Sequence, residues 1–158
     1  MRIPLVCTLV FCIATIGQSE SLTSSPLLGK WVADIGRLPI PVEARPKSVT
    51  ITFSADDDGR LETSVEVVDA SGSRMHAEGV TALDGTPAIA TGNLEANASA
   101  TTMPAENVLV MQLARDGVPA STRVYVVSDD EKSMVETSAY VGEDGQPVLR
   151  TNYFRRAD

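Results

Sequence analysis

The sequence predicts an all-β fold, an antiparallel up-and-down barrel of about eight to ten strands. Three observations predict it. Four Asp-Gly pairs recur at Asp58-Gly59, Asp84-Gly85, Asp116-Gly117 and Asp144-Gly145, at intervals of 26, 32 and 28 residues. Apolar and polar residues alternate at period two between them, the pattern of half-buried strands. No long stretch carries a helical period. A two-sheet β-sandwich is the alternative arrangement of such strands; a barrel removes exposed edges altogether.

Asp-Gly suits a type I′ hairpin turn, where two residues take positive φ. Each interval has room for two strands and one weaker turn: Ser71-Gly72, Gly92-Asn93 and Asp129-Asp130. Alternate turns of a meander lie at one end, so all four pairs are expected around one mouth.

In chain order, Leu28 to Ala33 offers a short first strand. Gly36 to Pro46, with Pro39, Pro41 and Pro46, is expected to be an extended connection or lid. Alternation follows at Val49, Ile51 and Phe53, then at Leu61, Val65 and Val67, then at Met75 and Ala77. Pro87 to Thr91 makes a short strand, and the Ala-, Ser- and Thr-rich Asn93 to Glu106 reads as a long turn or weak strand. Leu109, Met111 and Leu113 alternate next. Val124 and Val126 then face away from Arg123 and Tyr125. Val135, Thr137 and Ala139, and finally Leu149, Thr151 and Tyr153, complete the apolar faces read here. Many of these positions are small (Thr63, Ala77, Thr137, Ala139, Thr151). A barrel lined by small side chains either holds a cavity or flattens, and a cavity is the usual home of a small ligand.

The first residues form an expected signal peptide, 1–21. Met1-Arg2 is basic, and the apolar run from Ile3 to Gly17 is too short to span a membrane comfortably. Both cysteines, Cys7 and Cys12, fall inside it, so the single domain expected over 22–158 has no thiol chemistry. The expected location is exported, periplasmic or extracellular, with no membrane insertion after cleavage. The formal charge of -8 argues against a nucleic-acid partner, which needs a basic footprint.

Gly29-Lys30-Trp31 resembles the Gly-x-Trp opening of the lipocalin barrel, and the chain ends in Asn152-Tyr153-Phe154-Arg155-Arg156. In lipocalins a terminal-strand Arg packs across the opening Trp; the resemblance implies that Arg155 or Arg156 closes one barrel end over Trp31. The chain is also similar to small exported bacterial proteins of uncharacterised function with lipocalin-like barrels. Those carry a Gly-x-Trp start, a Pro-rich stretch and an Asp-Gly meander with a DG…P…TG segment. Here that segment runs from Asp84-Gly85-Thr86-Pro87 to Thr91-Gly92-Asn93, departing at Ala88 to Ala90, where an aromatic is often found.

No cluster demands a reaction, so no catalytic residue is expected. His76 is the only histidine and belongs to an exposed strand face; with no second His and no Cys beside it, no metal or cofactor is expected. Asp56-Asp57-Asp58-Gly59 lacks the spacing of a calcium loop. Arg123-Val124-Tyr125 is similar to the Arg-x-Tyr pair with which fatty-acid-binding barrels hold a carboxylate, provided that face points inward. Arg150, beside Asn152, offers a similar polar face. An enzyme would need a carboxylate converging with Arg123 and Tyr125. The expectation is a non-enzymatic binding protein for a small apolar or amphipathic ligand, with Arg123, Tyr125 and Arg150 as its polar contacts. An envelope-associated interaction module without a small ligand, whose protein partner is unknown, is the alternative.

Overall fold

Ten strands close into one antiparallel barrel in the computed structural model, which describes residues 22–92 and 94–157. The expected signal peptide, with both cysteines, lies outside the described residues. The strands are β1 (Gly29–Ala33), β2 (Ser48–Ala55), β3 (Leu61–Val68), β4 (Arg74–Thr81), β5 (Ala88–Gly92), β6 (Ala98–Ala105), β7 (Val108–Arg115), β8 (Val118–Val127), β9 (Ser133–Val141) and β10 (Pro147–Arg156). Each pairs with its sequence neighbour, and β1 closes the ring against β10, with Trp31 opposite Arg156 and Ala33 opposite Phe154.

The connections β2–β3, β4–β5, β6–β7 and β8–β9 therefore share one end. The other end holds β3–β4, β5–β6, β7–β8, β9–β10 and the long β1–β2 connection. This corrects the expectation of one rim for all four Asp-Gly pairs: Asp58-Gly59 and Asp84-Gly85 are at the first end, Asp116-Gly117 and Asp144-Gly145 at the second. The reason is β6. Its eight residues fold the Ala/Ser/Thr-rich segment into a full strand, so the central interval holds three strands, and each later turn changes ends. Pro104 lies where the β6–β7 register shifts between Thr102 and Ala105, a place that tolerates a missing N–H.

The turn chemistry also differs from expectation. Only Asp116-Gly117 has both residues at positive φ (53° and 79°), as a type I′ turn requires. At Gly59, Gly72 and Gly145 the glycine alone is left-handed. There the chain closes over five residues: Asp56 N–H donates to Arg60 O, Asp69 N–H to Ser73 O, and Gly142 N–H to Gln146 O. This is a type I turn followed by a left-handed glycine and a bulge.

The barrel interior has two unequal halves. At the first end the inward residues are large: Trp31, Phe53, Leu61, Leu109, Val127, Met134 and Phe154 are at most 3% exposed. A 3-10 turn at Leu22–Ser24 and the buried Leu27 cover them. Trp31 Nε1 donates to Leu27 O at 2.8 Å. The Arg156 guanidinium lies 4.2 Å from the Trp31 ring centroid and donates to Leu28 O, Pro26 O and Glu131 O. Arg156 closes this end; Arg155 is exposed.

Toward the second end the inward residues shrink to Ala33, Thr63, Ala77, Gly79, Ala90 and Ser99, and the interior is hollow. β5 is held close against β4: a Cβ on Gly92 would lie 2.1 Å from His76 O, so only glycine fits. The Pro-rich connection folds into 3-10 turns at Ile35–Arg37 and Val42–Ala44. Arg45 organises it, donating to Gly36 O, Leu38 O and Ile40 O, and Leu38 reaches the cavity wall.

Candidate functional site in the barrel

The hollow half holds a cavity of about 280 Å³, just under the range of small-molecule pockets, about 300–1,000 Å³. Aliphatic side chains of β2, β3, β4 and β7 form most of its wall, with Leu38 and Leu94 at the open end; Tyr125 and Phe154 also line it. One side is polar, and the strand register builds it. Tyr125 of β8 pairs with Glu136 of β9, and Glu136 with Asn152 of β10. Arg123 stands two residues from Tyr125 on the same inward face of β8.

The buried Glu136 accepts from Arg123 Nη1 at 2.5 Å through Oε1, and from Asn152 Nδ2 at 2.8 Å through Oε2. Its side chain is 2% exposed, that of Arg123 26%. Glu95, on the β5–β6 connection, reaches back into the barrel: its Oε1 accepts from Arg123 Nη2 at 2.5 Å, Arg123 Nε at 3.1 Å and Ser121 Oγ at 2.9 Å. Arg115 steadies that connection by donating to Leu94 O and, at 3.1 Å, to Glu95 O. Asn97 exchanges hydrogen bonds with Asp116 beside it.

Burial works against the charge on Arg123, but the carboxylates of Glu136 and Glu95 outweigh it and hold the guanidinium protonated. Burial first, then Glu136, pushes the Tyr125 phenol far up, so it stays protonated at neutral pH. Thr63 Oγ1, on the cavity wall, is buried with no hydrogen-bond partner.

The sequence-predicted residues divide. Arg123 and Tyr125 face inward and meet in the polar wall; Val126, on the opposite face, is 39% exposed. Arg150 is exposed, does not line the cavity, and lies 5.4 Å from the Tyr140 ring centroid. The faces read for β9 and β10 are corrected. Met134, Glu136 and Ser138 point inward instead of Val135, Thr137 and Ala139; Asn152 and Phe154 do so instead of Thr151 and Tyr153. Tyr153 lies instead against Arg37, whose guanidinium is 3.3 Å from its ring centroid.

Glu136 and Glu95 escaped the sequence reading. The signal for Glu136 is Phe154: once it is inward, the β9–β10 register puts Glu136 inside opposite Asn152. Glu95 belongs to no strand and gives no periodic signal. The carboxylate that an enzyme would need beside Arg123 and Tyr125 is thus present. Both its oxygens are engaged, and the phenol beside it is not ionised.

Among the described residues no group of three or more His, Cys, Asp or Glu could hold a metal ion, and no helix is long and apolar enough to cross a membrane. His76 is on the outer face, 3.2 Å from Glu78.

No protein-family model matches the chain, and no curated protein does. Among solved structures, the chain is similar to a mutant of the fluorescent protein UnaG, at 18% identity and a TM-score of 0.46, over 82% of this chain and 95% of that one.

Proposed function

We propose that this chain is a non-enzymatic binding protein that holds one small apolar or amphipathic molecule in the hollow half of its barrel. The observation that carries this reading is the asymmetry of the interior. The same ring of strands is filled with large side chains at one end, while at the other alanine, glycine, valine and threonine positions among the larger lining residues leave space unfilled. Protein interiors otherwise pack near crystal density. A mostly apolar cavity with a few convergent polar groups has the anatomy of a ligand site. The tail of the ligand lies against Val49, Val65, Ala77 and Leu113. Its polar end lies toward Arg123, Tyr125 and Glu136, whose groups already satisfy one another and offer no unengaged nucleophile or base.

We further propose that the protein is exported, on the strength of Met1-Arg2 and the apolar run that follows. N-terminal sequencing of protein from the natural host should begin near Ser21; an intact Met1 would oppose it.

Titration with a neutral naphthalene fluorophore tests the binding reading. Saturable one-to-one binding is expected, and Ala77→Phe, which places a ring in the cavity, should abolish it while far-UV circular dichroism stays unchanged. Absence of binding to the wild type, or undiminished binding to the variant, would refute the reading.

A further inference from the structure

The charges on the cavity wall are unequal. The carboxylates of Glu95 and Glu136 line it, and Arg123 is its one cation among the described residues. Arg123 is already committed. Each of its three guanidinium nitrogens has an acceptor: Glu136 on Nη1, Glu95 on Nη2, and Glu95 with Ser121 on Nε. Of the other arginines at this end, Arg74 is exposed and does not line the cavity, and four are engaged elsewhere. Arg37 is stacked on Tyr153, Arg45 and Arg115 donate to backbone carbonyls, and Arg150 lies over Tyr140.

The acceptors are less fully used. The hydrogen bonds to Glu95 converge on Oε1, its side chain is 41% exposed, and Oε2 is left for a donor.

Resting on the binding function proposed above, we infer that the ligand is a small aliphatic or aromatic amine, its nitrogen directed to Glu95, and that the cavity discriminates against the matching carboxylic acid. An ammonium group entering this wall offsets its excess negative charge and supplies a donor to Glu95 Oε2. A carboxylate does the reverse: it adds a charge of the sign already in excess, and must displace Glu95 before it meets the Arg123 guanidinium. Like charges brought together where water is scarce are strongly disfavoured. This runs opposite to the carboxylate-holding role that an Arg-x-Tyr pair implies, because here two carboxylates of the chain itself have taken the guanidinium.

Displacement of the bound naphthalene fluorophore by octylamine, octanol and octanoic acid at neutral pH tests the inference. The tails match, so only the head differs. The amine should displace the fluorophore at a concentration at least ~10-fold below the acid, about 1.4 kcal/mol of discrimination, with the alcohol between them. Glu95→Gln, at a part-exposed position, should narrow the gap between amine and acid severalfold without moving the alcohol. An acid that competes as well as or better than the amine would overturn the inference, as would a gap unchanged by Glu95→Gln. The wild-type ranking stands whether or not the variant folds. If fluorophore and alcohol both fail to bind, it is the binding function itself that falls.

Discussion

Arg123 carries two carboxylates on one guanidinium, and they are not equivalent. Glu136 is buried and fixed by Asn152; Glu95 is on a connection between strands and half in solvent. Removing one partner of a buried pair leaves an uncompensated charge, a loss of about 3–5 kcal/mol. Arg123→Met is therefore expected to lower stability by about that much in chemical denaturation, and Arg123→Met with Glu136→Leu to restore most of it. Glu95→Gln should cost about 1 kcal/mol or less, because water replaces the lost contact. At the other end, Arg156→Ala removes a cation–π contact worth about 0.5–2 kcal/mol and leaves three carbonyls without their donor. Arg155→Ala should change stability by about 0.5 kcal/mol at most. Thermal melts of the two variants side by side decide which arginine closes the barrel. The terminal Arg-Arg and the opening Trp were both legible in the sequence. Which arginine faces Trp31 was not, because the choice depends on whether Phe154 or Tyr153 points inward.

At the scale of elements, the turns were legible as reversals but not in their geometry. Asp-Gly marks every place where it occurs as a chain reversal. Only at Asp116-Gly117 does the pair act as a two-residue turn. At the β2–β3 hairpin the working aspartate is Asp56, two residues before the pair, whose carboxylate accepts from the backbone N–H groups of Asp58 and Arg60. The same device recurs at Asp69, Asp84 and Asp130. In each, hydrogen bonds hold the carboxyl below its ordinary value of 3.8: chiefly the backbone N–H of Arg60 for Asp56, the Ser71 hydroxyl for Asp69, the Thr86 N–H for Asp84 and the Ser128 hydroxyl for Asp130.

A group whose folded value is depressed contributes stability above its unfolded value and loses it as pH falls through the depressed one. The melting temperature should therefore drop as pH is lowered past 3.8, and Asp69→Asn should flatten part of that drop. A second element-scale prediction concerns β5. Gly92→Ala sets a methyl against the β4 backbone at a φ of 116°, and should destabilise by roughly 1–3 kcal/mol; Gly59→Ala, with open space around it, should cost less.

At the scale of the whole molecule, the all-β class and the closed barrel were readable from alternation and turns. What misled the reading was a strand without a strand's composition. β6 is built from Ala, Ser, Thr, Met103 and Pro104, with no β-branched or aromatic residue beyond its threonines. It is held by its neighbours, including a buried 2.6 Å contact between the Thr81 and Thr101 hydroxyls. Missing it shifted the parity of every later turn. The inward faces of β9 and β10 were hidden for a related reason: the buried Glu136 and Ser138 and the half-buried Asn152 look like a solvent face when read one strand at a time. The buried Glu136 is tolerable inside because Arg123, from a third strand, pairs with it and Asn152 donates to it. The site is a property of the ring and not of any segment, and a single sequence displays segments.

The central claim is that one barrel contains a packed half and a hollow, ligand-accepting half. Methyl-resolved NMR during titration with a neutral apolar probe tests it most directly. The account predicts shifts at the methyls of Val49, Val65, Val67, Ala77 and Ala90, with those of Leu27, Leu61 and Leu109 unmoved. Shifts centred on the second group, or confined to outward methyls such as Val141 and Leu149, would contradict it.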